Sequence, residues 1–447
     1  MKKQQSKKTS TKALVASLIG SSIEWFDYFL YGTLAALVFN KIFFPTADPT
    51  VGLLVAYTSF ALPFFIRPLG GVIFSHIGDK IGRKKTLVLT LSLMGGATFS
   101  IGLLPSYETI GIWAPILLIT LRLIQGLGIG GEWGGALLLA VEYAPKGKRG
   151  FFGSVPQMGV TIGLLLGTIS ITAMTTLPDG QFLTWGWRVP FILSSILVFL
   201  GLWIRNGIDE TPAFQEAKES KKLAKVPILD TFRYNWKSVI IAVGLKAGET
   251  APFYIFSTFI ISYATGQLGF SSTSALNAVT IGTLVTTVAI PFMGALSDKL
   301  GRKLLFIVGT IAIILYAFPY FFILSFGSVL WLTVATIIGL GLFWAPVTAV
   351  LGTLFSEIFP TNVRYTGVTV GYQIGAALAG GTAPLIATAL MNGFNNSWVP
   401  VAIYMMFIGL LALIAILSTK EIKENNFEAE ETKTESYVDT NIMINKS

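Results

Sequence analysis

The sequence predicts an all-α integral membrane fold: twelve transmembrane helices arranged as two pseudo-symmetric six-helix bundles. Three observations carry this: a composition too apolar for a water-facing surface, uncharged runs long enough for paired spans, and a charged motif that occurs twice. The 447 residues are 53% hydrophobic and only 12% charged, with 46 Gly and a mean hydropathy of +0.69. A soluble chain of this length needs more charge to cover its surface, so its apolar side chains must face lipid.

No Asp, Glu, Lys or Arg occurs in 250–297, 304–356 or 365–419. A spanning helix takes roughly 20 residues, so each run holds two helices and a turn. The turns lie at 266–274, 325–328 and 392–397, which are rich in Gly, Ser and Asn. The remaining apolar segments complete a set of spans at 13–39, 51–75, 86–105, 112–141, 150–175, 189–205, 238–264, 274–296, 304–324, 329–355, 365–391 and 398–418. Uninterrupted apolar runs without strand-like alternation indicate helices rather than a barrel. The organisation then reads as an N-terminal tail (1–12), a first bundle (13–205), a central loop (206–237), a second bundle (238–418) and a C-terminal tail (419–447).

Lys and Arg set the orientation. They concentrate in the N-terminal tail, at 80–85, 146–149 and 299–303, at Arg364, in the central loop and in the last tail. Positive residues stay inside, so both termini and the central loop are expected on the cytoplasmic side of the cell membrane. The same placement accounts for the formal charge of +9 without a nucleic-acid partner. The Lys-rich start resembles a signal peptide, but its apolar segment runs on to Phe39, which reads as an uncleaved first helix. There is no Cys, and the lone histidine, His76, cannot form a zinc site by itself, so no metal is expected. The Gly-rich stretches at 126–135 and at Gly159, Gly163 and Gly167 lie within spans and mean close helix packing rather than phosphate loops. With no ATP site, no cofactor and no catalytic constellation, the chain is not read as an enzyme. Any pumping would draw on an ion gradient. The expected partners are the bilayer, a small metabolite and protons, with the chain acting as a monomer.

Gly78-Asp79-Lys80-Ile81-Gly82-Arg83-Lys84 recurs as Ser297-Asp298-Lys299-Leu300-Gly301-Arg302-Lys303. Glu142-Tyr143-Ala144-Pro145 with Arg149 recurs, at nearly the same offset, as Glu357-Ile358-Phe359-Pro360 with Arg364. Such a parallel repeat places a substrate path between the halves, along an axis normal to the membrane.

These motifs resemble those of the major facilitator superfamily over 13–418, although Ser75 stands where a leading glycine is usual. Within it, the chain is most similar to the metabolite:proton symporters. The residues are Ile23-Glu24-Trp25-Phe26-Asp27-Tyr28, Arg67-Pro68-Leu69-Gly70-Gly71, Arg122-Leu123-Ile124-Gln125-Gly126, Gly130-Gly131-Glu132-Trp133-Gly134-Gly135, Trp187-Arg188-Val189-Pro190 and Glu210-Thr211-Pro212. Members of that group import shikimate, 2-oxoglutarate, citrate, proline or glycine betaine. The resemblance therefore implies secondary active, proton-coupled import of a small carboxylate-bearing metabolite, an organic acid or a zwitterion, by alternating access. A proton-driven exporter, antiporter or uniporter is the alternative, and a non-transporting membrane sensor a further one. Drug exporters usually carry an extended Gly-Pro motif on helix five, which Pro156 and the glycines at 159–167 do not match.

An Asp at a helix end can accept hydrogen bonds from the free N–H groups of another helix's N-terminus. Asp79 is thus expected near the start of helix eleven, around Arg364, and Asp298 near the start of helix five, around Arg149. With Arg83, Arg302 and the pairs Glu142/Arg149 and Glu357/Arg364, they form an expected cytoplasmic gate. The other reading of these charges is as topology anchors on anionic headgroups or as solvated loop charge.

Charges inside spans are costly in lipid and so point to a site. At about 1.5 Å per residue, Glu24, Asp27, Arg122, Lys246 and Glu249 lie about 12 to 21 Å inside the ends they enter from. Arg67 and Glu132 fall nearer the cytoplasmic end, where they can pair, and Glu132 is counted with the gate. Glu24 and Asp27 share a helix face, and their mutual repulsion lets one hold a proton near neutral pH, which marks them for proton coupling. Lys246 and Glu249 occupy the matching positions in the second half. Arg122 is the expected anchor for a substrate carboxylate, paired with Asp27 when the site is empty, with Lys246, Glu249 and Arg67 as further contacts. Fixed ion pairs that merely hold helices together are the competing reading. Trp25, Tyr28, Tyr31, Trp133, Tyr254 and Tyr372 either line the path or face lipid and neighbouring helices.

Overall fold

The computed structural model describes residues 2–45, 48–81, 83–130, 137, 140–141, 144–145, 147–206, 231–233, 235–359 and 364–419. Glu132, Trp133 and Glu142, most of the central loop and the tail from 420 lie outside these residues, as do the side chains of Ser75, His76, Asp79, Arg83 and Arg364. Among the described residues there is no strand. The membrane helices are α1 (Lys2–Leu34), α2 (Pro49–Ile81), α3 (Arg83–Leu103), α4 (Trp113–Ile129), α5 (Arg149–Met174) and α6 (Arg188–Asn206). In the second half they are α7 (Trp236–Gly266), α8 (Ser272–Leu300), α9 (Arg302–Leu324), α10 (Val329–Ile358), α11 (Arg364–Ala379, resuming at Ala383–Gly393) and α12 (Val399–Leu417). Nine of the described helices are long and apolar enough to cross a membrane, and the shorter apolar helices Val88–Leu103 and Trp113–Ile129, with α1, complete twelve.

Helix-pair contacts repeat between the halves. α1 packs on α5 as α7 packs on α11, α2 on α4 as α8 on α10, and α3 on α6 as α9 on α12. The halves themselves meet along α5 with α8 and along α2 with α11. A second mark of the repeat was not readable from sequence. α1 continues into a π-helical turn at Ala35–Phe39, and α7 contains its counterpart at Ile255–Phe259. α10 carries a longer one at Ile337–Trp344. Such turns interrupt regular α-helical hydrogen bonding and cluster at functional places.

The repeated charged motif is less of a loop than its composition suggests. The spans expected to stop at 75 and 296 run on to Ile81 and Leu300, so Asp79 and Asp298 sit in the last turns of α2 and α8. The chain reverses at Gly301, whose φ of +94° is open to glycine and strained for other residues, and α9 starts at the next residue. Charge ends the apolar run here without ending the helix.

Small residues allow the close approaches. A Cβ on Gly163 of α5 would lie 2.6 Å from the Phe26 backbone nitrogen of α1. At the seam between halves, a Cβ on Gly150 would meet Ser297 Oγ and Gly294 O, and one on Gly294 would meet Ser154 Oγ. Gly163→Val is therefore expected to drive α1 and α5 apart at a cost of about 1–3 kcal/mol or more, lowering the unfolding temperature of purified protein. Gly96→Ala, with no atom within 4 Å of the added carbon, should leave it unchanged or raise it slightly, since Ala favours helix by up to about 1 kcal/mol.

Candidate functional site

Between the halves lies a narrow cavity with about 10 Å³ of room for the centre of a water molecule. Its wall includes Trp25 from α1, Gln157 from α5, Lys246 and Glu249 from α7, Trp344 from α10 and Tyr372 from α11.

The second-half wall is built on Glu249. Lys246 Nζ donates to its Oε2 at 2.6 Å, one helical turn away, and Thr250 Oγ1 donates to the same oxygen at 2.7 Å. Thr348 Oγ1 donates to Oε1 at 2.9 Å, and Trp344 Nε1 donates to the Glu249 carbonyl at 2.6 Å. Lys246 Nζ also lies 4.0 Å from the Tyr372 ring centroid, a cation–π distance. Gln157 donates to the Thr348 carbonyl at 3.3 Å. Its Oε1, with Trp25 Nε1 and the Tyr254 hydroxyl, is buried without a hydrogen-bond partner on the cavity wall.

The first-half charges are placed differently from the sequence expectation. Arg122 and Asp27 form no ion pair among the described residues. Arg122 Nη1 donates to Gln125 Oε1 at 2.7 Å, and Nη2 to the Phe60 carbonyl at 3.2 Å, while its guanidinium lies 3.9 Å from the Tyr31 ring centroid. Gln125 Nε2 donates to Thr98 Oγ1 at 2.6 Å, and Thr98 Oγ1 donates to Asp27 Oδ2 at 2.9 Å. Two neutral side chains thus stand between the charges, because Gln125, one turn after Arg122, fills the guanidinium fork first. Arg122 is fully buried and does not line the cavity, so it is not a direct contact for cavity contents in this conformation.

Arg67 joins the aromatic residues of α1. Its guanidinium is stacked among Trp25, Tyr28 and Phe64, 5.6, 4.6 and 4.4 Å from their ring centroids, which brings it to the central cluster. Side chains on a helix point back toward its N-terminus, so a long arginine on α2 reaches away from the helix end toward which its position counts. Arg67 is 1% exposed, and its Nε and Nη2 have no hydrogen-bond partner. Glu24 is buried on α1, and Asp27 accepts from Thr98 of α3.

At one end of the seam between halves, Asp298 accepts the backbone N–H groups of Gly150 and Phe151 at 2.7 and 3.0 Å, at the start of α5. Arg302 holds Asp298 at 3.1 Å and lies 3.7 Å from Glu357, while the Arg149 carbonyl accepts from Thr353 at 3.3 Å. At the opposite end, neutral hydroxyls join the halves: Tyr57 with Ser262 at 3.1 Å, Thr175 with Thr273 at 3.1 Å and Thr280 with Thr168 at 2.9 Å. Thr98, Gln125, Gln157, Trp344 and Thr348 were not singled out from sequence. Only Gln125 had a signal, its position inside the Arg122–Gly126 motif.

The Major Facilitator Superfamily family model matches residues 17–371 and 251–446 of this chain. The chain is 42% identical over 417 residues to a shikimate transporter of Escherichia coli (strain K12), covering 92% of this chain and 94% of that protein. It is 37% identical over 423 residues to a glycine betaine/proline/ectoine/pipecolic acid transporter of Dickeya dadantii (strain 3937), covering 92% and 83%. The solved structure of a proton:xylose symporter superposes with a TM-score of 0.72 at 18% identity, covering 92% of this chain and 95% of that one, a likeness of fold.

Breaking a buried ion pair costs about 3–5 kcal/mol because one charge is left stranded. Glu249→Ala or Lys246→Met alone is expected to lower the unfolding temperature of purified protein by several degrees. The double variant should recover most of the loss, and thermal unfolding of all three checks this.

Proposed function

This chain belongs to the major facilitator superfamily, and from that membership and the site's geometry we propose that it is a proton-coupled symporter that imports a small carboxylate-bearing metabolite across the cell membrane. The observation that carries the reading is a narrow cavity between the halves whose wall includes a lysine, beside a buried arginine with two unsatisfied donors, while a separate buried carboxylate lies off the wall. Lys246 on the wall is the direct contact for a substrate carboxylate, replacing Arg122 in that role, and Arg67, buried behind the wall residue Trp25 with unsatisfied donors, becomes a contact as the cavity opens. A carboxylate entering the cavity competes with Glu249 for Lys246 and satisfies Arg67. Glu249 positions Lys246, and Glu24 supplies further negative charge on α1. Asp27 carries the proton, with Arg122 as its electrostatic counterweight. The likeness to transporters of shikimate and of proline and betaines supports an acid or a zwitterion as the substrate class.

In the same reading both termini are cytoplasmic and the chain works as a monomer in lipid. The Asp298 end is then the cytoplasmic gate, where a carboxylate caps the α5 N-terminus and Arg302, Glu357 and Arg149 surround it. Asp79, Arg83 and Arg364, with Glu142 and Glu132, are proposed for the equivalent closure in the other half of the repeat.

Uptake into proteoliposomes under an imposed pH gradient, screened by competition among organic acids and betaines, tests the reading. Asp27→Asn is expected to abolish accumulation against a gradient while leaving substrate counterflow. Persistent accumulation in that variant refutes the proton assignment. Lys246→Ala and Arg67→Ala should each weaken binding of the acid by about 10- to 100-fold, the size of a lost hydrogen bond to a charged group. Neither should weaken binding of an amide analogue to the same degree. Asp298→Asn is expected to raise labelling of a cysteine introduced at the start of α5 from the cytoplasmic side, and unchanged labelling leaves Asp298 without a gating role.

A further inference from the structure

We infer that Gln125 and Thr98 are a directional hydrogen-bond relay through which Arg122 sets the proton affinity of Asp27, with the Thr98 hydroxyl as its two-position element. This rests on the reading of Asp27 as the proton carrier and names what controls it.

The direction of the relay follows from chemistry. A guanidinium only donates, so the Gln125 atom 2.7 Å from Arg122 Nη1 is its carbonyl oxygen. The Gln125 amide nitrogen must then face Thr98, 2.6 Å away, and it also only donates. Thr98 Oγ1 therefore accepts there, and its single proton is left for one of two acceptors: Asp27 Oδ2 at 2.9 Å or the Met94 carbonyl at 3.0 Å. Facing an ionised Asp27, the hydroxyl donates to it, since a charged acceptor makes the stronger bond. Facing a protonated Asp27, the hydroxyl accepts the new O–H on its remaining lone pair and turns its own proton to Met94. One rotation of the hydroxyl serves Asp27 Oδ2 in both protonation states, Oδ1 having no hydrogen-bond partner, and only the ionised state receives donation from the whole string.

The surroundings leave this string as the adjustable part. The charged and titratable groups around Asp27 are Glu24, Tyr28 and Tyr31 on its own helix, Arg67 on α2 and Arg122 on α4. α5 and α6 meet α1 through Gly159, Gly163 and Gly201. Arg122 forms no ion pair with Asp27, and its fork is engaged by Gln125 and Phe60. Thr98 is fully buried and Gln125 is 1% exposed, so solvent does not replace either of them.

The test follows the infrared band of the protonated carboxyl in purified full-length protein as pH is varied, with the Asp27 contribution identified by its loss in Asp27→Asn. Thr98→Val is expected to move the midpoint up by about one to two pH units, because hydrogen bonds to the ionised form favour it and their loss favours the proton. Thr98→Ser, which keeps the hydroxyl, should stay near wild type. Gln125→Met should move the midpoint in the same direction by less. Because Gln125 acts through Thr98, the double variant should move it no further than Thr98→Val alone. Unchanged midpoints in Thr98→Val and Gln125→Met, or fully additive shifts, overturn the relay. If Asp27→Asn removes the band and uphill uptake while the relay variants titrate as wild type, the relay falls and the proton assignment stands. If Asp27→Asn leaves both intact, both fall together.

Discussion

Charge held within hydrocarbon has to be satisfied from inside the protein, and the central architecture depends on how that is done for three buried cations. Lys246 has a carboxylate at hydrogen-bond distance and an aromatic ring beneath it. Arg122 has a side-chain amide, a backbone carbonyl and tyrosine rings. Arg67 has rings from Trp25, Tyr28 and Phe64, and two of its nitrogens go unbonded. Since an unmatched charge costs several kcal/mol at such depth, the three form a graded series. The least satisfied cation gains most from an arriving anion, and it lies against Trp25 on the cavity wall.

The repeat supplies a common frame on which the halves have diverged. The same helix pairs pack in each, and π-helical turns occur at matching places in α1 and α7. The polar chemistry built on those two helices differs. Asp27 on α1 is reached through neutral groups on α3 and α4, whereas Glu249 on α7 is bound directly by a lysine of its own helix. A duplicated scaffold thus separates a carboxylate held by neutral donors from one committed to an ion pair.

The fold was legible because lipid imposes a rule that sequence records directly: long uncharged runs are spans, and basic residues mark their ends. The buried charges were legible for the same reason, since each interrupts such a run. Their partners were not. Gln125 and Thr98 are neutral and common, so nothing in their types announces that they stand between Arg122 and Asp27. The ring contacts of Arg67 were not legible because counting residues locates a Cα, whereas a long side chain carries its charge back along the helix. The charged repeat read as loop because composition marks where apolar residues stop, and α8 continues past that point until Gly301 turns the chain.

The two ends of the seam between the halves are fastened by different chemistry. A carboxylate capping a helix terminus is electrostatic, and such contacts weaken as ionic strength rises. The hydroxyl pairs at the opposite end, Tyr57 with Ser262, Thr175 with Thr273 and Thr280 with Thr168, carry no net charge. Their strength is therefore indifferent to the salinity and acidity of the solution they border. A chain fastened in this way keeps one of its barriers constant through swings in salinity and confines salt sensitivity to the end held by Asp298.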